Sequence, residues 1–141
     1  MNYLLDTNVV VSALRSRRGA SHALLRRSLE GRLSVVMHHK LLMEYRDVLS
    51  RAEILSALVF SWEDIEKILT RLAWEAQEIR VSYLWRPNLR DEGDNFLLGI
   101  AIAAAPCTLM THNLADFRNG QLLFPGVWLK TPQQALFELA H

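Results

Sequence analysis

The alternation of apolar and polar stretches divides the chain into short strands and longer helices. Tyr3, Leu4 and Leu5 form an apolar run that stops at Asp6-Thr7-Asn8, and a second run, Val9 to Leu14, follows at once. No Gly or Pro marks the join, so the pattern predicts a buried strand running straight into a helix. Ser21 is placed to cap a helix through Leu29, with Gly31 as its stop. Leu33 to Met37 reads as a second strand. From His38 to Leu49 the apolar residues Leu41, Leu42, Tyr45, Val48 and Leu49 recur at helical spacing, which leaves Glu44 and Asp47 off the main stripe. A short helical piece covers Ile54 to Leu58. Ser61-Trp-Glu-Asp64 then resembles a capping box and opens a helix to about Ala76. Glu78 to Tyr83 alternates, as a third strand or an edge segment would. After a polar loop through Gly93, Asp94 begins a strongly apolar helix, Asn95 to Ala105, closed by Pro106. Thr108 to Thr111 is a short strand followed by the polar loop His112 to Phe117. Val127 to Lys130 is a last strand, and Thr131-Pro132 opens the final helix. Strands alternating with helices imply an α/β fold with a mainly parallel central sheet.

Composition narrows the class further. The 141 residues suit one domain spanning 1–141, and with 50% hydrophobic and 22% charged residues the chain can bury a core. A formal net charge of +1 neither demands nor excludes a nucleic-acid partner. The single Cys107 excludes a disulfide framework and a Cys-rich zinc site, and its apolar surroundings predict a buried, inert thiol. No apolar stretch is long enough to cross a membrane, and the first residues lack the pattern of a secretory signal. The expectation is a soluble cytoplasmic protein with no membrane partner.

The chemistry lies in the acids. Asp6 follows the first strand, Asp91 and Asp94 follow the third, and Asp116 follows the strand ending at Thr111. Glu44 adds a position one or two turns into the helix after the second strand. In a parallel sheet all of these fall at the carboxyl edge, where open α/β folds bind their ligands. Each acid also has an ordinary reading: Asp6 and Asp94 as helix caps, Glu44 as a partner of Lys40, Asp116 as the end of a turn. Several carboxylates in one crevice repel one another unless a cation is present, and their hard oxygens suit Mg²⁺ or Mn²⁺. Such a site can activate water and clamp the oxygens of a phosphodiester.

Five segments carry a resemblance in the same order along nearly the whole chain: residues 4–14 (LLDTNVVVSAL), Glu44 within Leu-Leu-Met-Glu-Tyr, 90–97 (RDEGDNFL), 110–117 (MTHNLADF) and 130–136 (KTPQQAL). The set resembles PIN-domain ribonucleases, in particular the single-domain bacterial toxins of type II toxin–antitoxin pairs. The resemblance implies a three-layer α/β/α fold and metal-dependent cleavage of RNA. It places Asp6, Glu44 and Asp94 as the main metal-binding acids and Asp116 as the acid of the last motif. Asp91 either contributes or flanks, and Thr7 and Asn8 orient Asp6 and bound water. At Asn113 many members carry Asp; Asn keeps a carbonyl donor and loses a charge, which weakens a second metal site. The resemblance further implies a homodimer and a small antitoxin that blocks the site.

Other polar residues admit two readings each. Arg15, Arg17, Arg18, Arg26 and Arg27 can neutralise an RNA backbone or form a solvated face. Arg86 and Arg90 are similar, Trp85 can stack a base or cover core, and His112 can touch substrate. His38 and His39 lack ligand spacing. The leading expectation is therefore a Mg²⁺- or Mn²⁺-dependent endoribonuclease using Asp6, Glu44, Asp94 and Asp116. The rivals are a degenerate PIN module that binds RNA or a protein without cutting, and an Asp-nucleophile phosphatase, which needs an acid where Asn8 stands. A receiver domain wants a paired acidic cluster at the first strand and fits no better.

Overall fold

The computed structural model describes residues 1–80, 92–118 and 125–140. The elements run β1 (Asn2–Leu5), α1 (Thr7–Arg15), α2 (Ala20–Leu29), β2 (Val36–Met37), α3 (His39–Ser50), α4 (Ala52–Leu55), α5 (Trp62–Glu75), β3 (Gln77–Glu78), α6 (Glu92–Ala103), β4 (Cys107–Met110), α7 (Leu114–Arg118), β5 (Val127–Lys130) and α8 (Pro132–Ala140). Every strand pairing among the described residues is parallel. The ladder β1–β4–β5 keeps Leu4 beside Leu109 and Leu109 beside Leu129, and β2 pairs with β3. A single bridge, Tyr3 to Val35, joins the two ladders and gives the order β3–β2–β1–β4–β5. The chain thus builds outward through β2 and β3 and returns to the other side of β1. That reversal is the point where open parallel sheets leave a crevice beyond the strand ends.

Core residues come from every layer. Leu4, Leu5, Leu109 and Met110 from the strands meet Val10 and Leu14 of α1, Leu24 of α2, Leu41 and Tyr45 of α3, Ile65 and Leu72 of α5 and Ile100 of α6. Cys107 is buried in β4, and burial pushes its thiol up to about 12, so the inert reading stands.

Several boundaries differ from the apolar pattern for local reasons. Gly19, not Ser21, is the residue before α2; Ser21 is buried and turned towards His112. Gly31 does close α2, at φ +72°, a conformation that glycine adopts without strain. The second strand shrinks to Val36–Met37, and the third is Gln77–Glu78, with 81–83 outside the described residues. The short helical piece lies earlier than Ile54 to Leu58, at Ala52–Leu55. α6 starts at Glu92, so Asp94 lies inside its first turn rather than before it. The loop after Thr111 contains a helix, α7, because Asn113 offers its carbonyl to the Asp116 amide and Phe117 buries its ring. The Ser61 and Thr131 caps are as expected. Ser61 accepts from the Asp64 amide, while Thr131 and Gln134 exchange hydrogen bonds of 3.1 and 2.9 Å.

Candidate metal centre

The break between β1 and α1 falls at Asp6 because the apolar demand of the strand ends there and the helical demand of Val9–Leu14 begins. Asp6 has extended backbone (φ −64°, ψ 151°) and does not cap α1 with its side chain. Its carboxylate turns instead towards the end of β4. Thr111 donates to Asp6 Oδ2 at 2.7 Å, and the Asn8 amide donates to the same oxygen at 3.2 Å. Asn8 Oδ1 in turn accepts from the His112 amide at 3.2 Å, and the Thr111 hydroxyl accepts from the Asn113 amide at 3.1 Å. A polar stitch thereby closes β1 to β4 across the crevice, with Thr111 wholly buried beneath it.

Across the crevice stand the other two acids. Asp6 and Thr7, with Leu41, Glu44 and Val48 of α3 and Gly93, Asp94, Phe96 and Leu97 of α6, line one cavity of about 160 Å³. Thr7 donates its hydroxyl to the Glu44 carboxylate rather than to Asp6. Burial is the largest influence on Asp6 and raises its pKa above 3.8; the Thr111 hydroxyl and the Thr7 backbone pull it down, Glu44 pushes it up, and Asn8 pulls it down again. A larger open depression of about 570 Å³ runs along α5 from Glu63 to Trp74 and holds none of the candidate residues.

Asp6, Glu44 and Asp94 come from three separate elements into one cavity. Asp116 lies exposed in the first turn of α7 and is not among the cavity's lining residues. Asn113 is exposed beside it, its amide held by Thr111. Asp91, Trp85, Arg86 and Arg90 lie outside the described residues. Arg15, Arg17 and Arg18 are exposed at the turn between α1 and α2, where the Arg17 guanidinium sits 4.7 Å above the Phe60 ring. His112 bonds Ser21 through Nε2 at 3.5 Å, which brings the start of α2 to the edge of the site.

Two contributors escape a reading by residue type. Thr111 is polar at the buried end of a strand, and that mismatch was its only signal. Tyr45 looks like one more member of an apolar stripe, yet its hydroxyl donates to the Leu5 carbonyl, immediately before Asp6. Burial, then the charges of Asp6 and Glu44, push that phenol well above its usual range.

The model of the PIN domain matches residues 2–115. The chain belongs to the PIN-domain family. Among solved structures, a chain of VapBC2 from Rickettsia felis bound to a DNA fragment from their promoter aligns with TM-score 0.63 and 19% identity, covering 93% of this chain and 98% of that one. A chain of DNA-bound VapBC from Salmonella typhimurium aligns with TM-score 0.59 and 15% identity, covering 94% and 98%. No curated protein matches the chain. The fold is thus the three-layer α/β/α PIN fold that the motifs imply.

Whether this PIN domain's residues suit a cation can be judged from the donors. Among the described residues, no three His, Cys, Asp or Glu side chains converge closely enough to hold an ion between them as they stand. Mg²⁺ does not require that: it keeps several waters and binds through one or two carboxylates. A half-buried Asp6 whose ionisation is opposed by desolvation and by Glu44, yet supported by three hydrogen-bonding groups, fits a hard cation in the same cavity.

Proposed function

We propose that this PIN domain is a Mg²⁺- or Mn²⁺-dependent endoribonuclease and the toxin of a toxin–antitoxin pair, acting as one unit over residues 1–141. The observation that carries the reading is the gathering of Asp6, Glu44 and Asp94 around one small cavity at the carboxyl edge of a parallel sheet. Asp6, Glu44 and Asp94 hold the cation, with Asp116, and Asp91 outside the described residues, as further candidate carboxylate donors. When bound, the cation supplies Lewis-acid polarisation of the phosphodiester and of the attacking water. The chain's own part is positioning. Thr111 and Asn8 aim the Asp6 carboxylate, Thr7 aims Glu44, and Asn113 holds the Thr111 end of the stitch. Leu41, Val48, Phe96 and Leu97 form apolar walls that limit bulk water and strengthen the field of the acids. Arg15, Arg17 and Arg18, with Arg86 and Arg90, neutralise the RNA backbone, and His112 contacts substrate at the rim.

The DNA-bound VapBC assemblies that share the fold support a protein partner, an antitoxin that covers the site, and a homodimer acting in the cytoplasm completes the proposal. The phosphatase rival has no support: its second acid would stand at Asn8, whose amide is spent on Asp6. A non-cutting RNA-binding module draws its support from Asn113, which keeps a carbonyl donor but lacks the charge of the Asp that many family members carry there. Incubating an RNA panel with the antitoxin-free protein in Mg²⁺, Mn²⁺ or EDTA separates the two. Cleavage that needs the metal and disappears in Asp6→Asn and Asp94→Asn supports the nuclease; RNA retention without cutting at any metal concentration supports the module.

A further inference from the structure

Two contacts tie α3 to the junction of β1 and α1, and they bracket Asp6. One residue before it, the Leu5 carbonyl accepts from the Tyr45 hydroxyl; one residue after it, the Thr7 hydroxyl donates to Glu44. Glu44 and Tyr45 are neighbours on α3, so consecutive residues of the helix grip the two sides of Asp6. The position in the sheet explains the need. The bridge between β1 and the β2 side is confined to Tyr3 and Val35, two residues short of Leu5. At Leu5 the partner of the strand carbonyl is a side chain from α3. Tyr45 is 0% exposed, and ring packing alone would be met by Phe. A buried hydroxyl costs free energy unless it is bonded, so its presence marks a bond that fixes something.

We infer that Tyr45, together with Thr7, is a positioning residue that sets the spacing of Asp6 and Glu44 and thereby the affinity of the cavity for a divalent cation. Glu44 is exposed, and its charge and that of Asp6 repel one another. Left to themselves, the two carboxylates would separate towards solvent. The bracket opposes this through groups that carry no charge, so it holds the pair before a cation arrives. The inference rests on the reading that these acids hold a metal; Tyr45 does not line the cavity and acts on it through the Leu5 carbonyl.

The test compares wild type, Tyr45→Phe and Thr7→Val by Mn²⁺ titration and, without metal, by amide hydrogen exchange. Loss of an outer-shell partner weakens metal affinity by about 10–100-fold. We expect a loss in that range for Thr7→Val, whose hydroxyl bonds a carboxylate of the pair, and a smaller but measurable loss for Tyr45→Phe, which acts one residue further off. Both should show faster exchange at residues 5–8 and 44–46 beyond any change in global stability. Unchanged Mn²⁺ affinity and exchange that follows only global stability in Tyr45→Phe would overturn the inference and leave Tyr45 a structural residue. Should Tyr45→Phe fail to fold, Thr7→Val cuts the other arm of the same bracket and carries the same two expectations. A wild type with no Mn²⁺ affinity would instead remove the metal reading, and local exchange alone would then decide the bracket.

Discussion

Asp6 is held where its charge is useful and costly at once. Its pKa lies above 3.8 in the folded protein, first through burial. A carboxyl that binds its proton more tightly when folded contributes stability at low pH, and that contribution is lost as pH rises through the folded value. Ionised Asp6 is therefore a burden at neutral pH in the absence of metal. Asn at this position keeps an oxygen that accepts from Thr111 and Asn8 and sheds the charge. Asp6→Asn should melt at or above the wild-type temperature at pH 7 without metal, with the gap closing towards pH 4, while cleavage falls to background. Differential scanning across pH tests this, and a variant that melts well below wild type at pH 7 contradicts it. Thr111→Val should behave oppositely. It fills the same space but strips Asp6 of its 2.7 Å bond and the Asn113 amide of its acceptor, a loss of about 1–3 kcal/mol in denaturant unfolding. The acids were legible in the sequence because carboxylates after strands are conspicuous. The hydroxyls were not. Thr111 and Tyr45 lie 105 and 40 residues from the groups they bond; a polar residue at a strand end is the one local mark of Thr111, and nothing local distinguishes Tyr45 from its stripe.

Helices with amphipathic stripes and side-chain caps, such as α5 and α8, could be read directly from the pattern. α7 could not: it has five residues, too few to show a period, and its order depends on Asn113 and the buried Phe117. α3 shows how an element can carry an unread dependence on pH. Its cap is His38, whose Nδ1 accepts from the Lys40 amide at 3.1 Å, and whose ring stands edge-on to Phe96 with centroids 5.3 Å apart. Only the neutral imidazole can accept at Nδ1. Burial, then the neighbouring His39 and Lys40 charges, lower its pKa below 6.5, with Glu78 acting in the opposite direction. The folded protein thus binds this proton less readily than the unfolded chain. The sign follows: the stability of the neutral cap is present above pH 6.5 and is lost as pH falls through the lowered value. Thermal unfolding should show a decline from pH 7.5 to 5 that is smaller in His38→Asn, since Asn can accept from the Lys40 amide without titrating. An identical decline in both proteins would clear His38 of the effect. Because α3 carries Glu44 and α6 carries Phe96, this junction also bears on the shape of the cavity.

At the scale of the molecule, alternation of strands and helices implied the parallel sheet. The strand order was hidden, because it depends on how the chain returns to β4 beside β1. That return brings three of the acids to one cavity: it sets Thr111 against Asp6 on one side of β1, while α3 and α6 face the same strand end with Glu44 and Asp94. Folding therefore brings like charges together, and a cation that binds only the folded arrangement must stabilise it. A ligand at a hundredfold excess over its dissociation constant contributes about 2.7 kcal/mol, and each kcal/mol moves the melting temperature of a domain near this size by roughly 3 °C. Mn²⁺ at a hundredfold excess over its dissociation constant should accordingly raise the melting temperature of the wild type by about 8 °C. The shift should shrink to near zero in Asp6→Asn and fall by at least half in Glu44→Gln and Asp94→Asn. Asp116→Asn discriminates further. Its carboxylate is exposed on α7 and does not line the cavity, so its loss should leave most of the Mn²⁺ shift in place. A shift that survives Asp6→Asn would place the cation elsewhere, whereas one abolished by Asp116→Asn as fully as by Asp6→Asn would mean that α7 closes on the cavity when the ion binds.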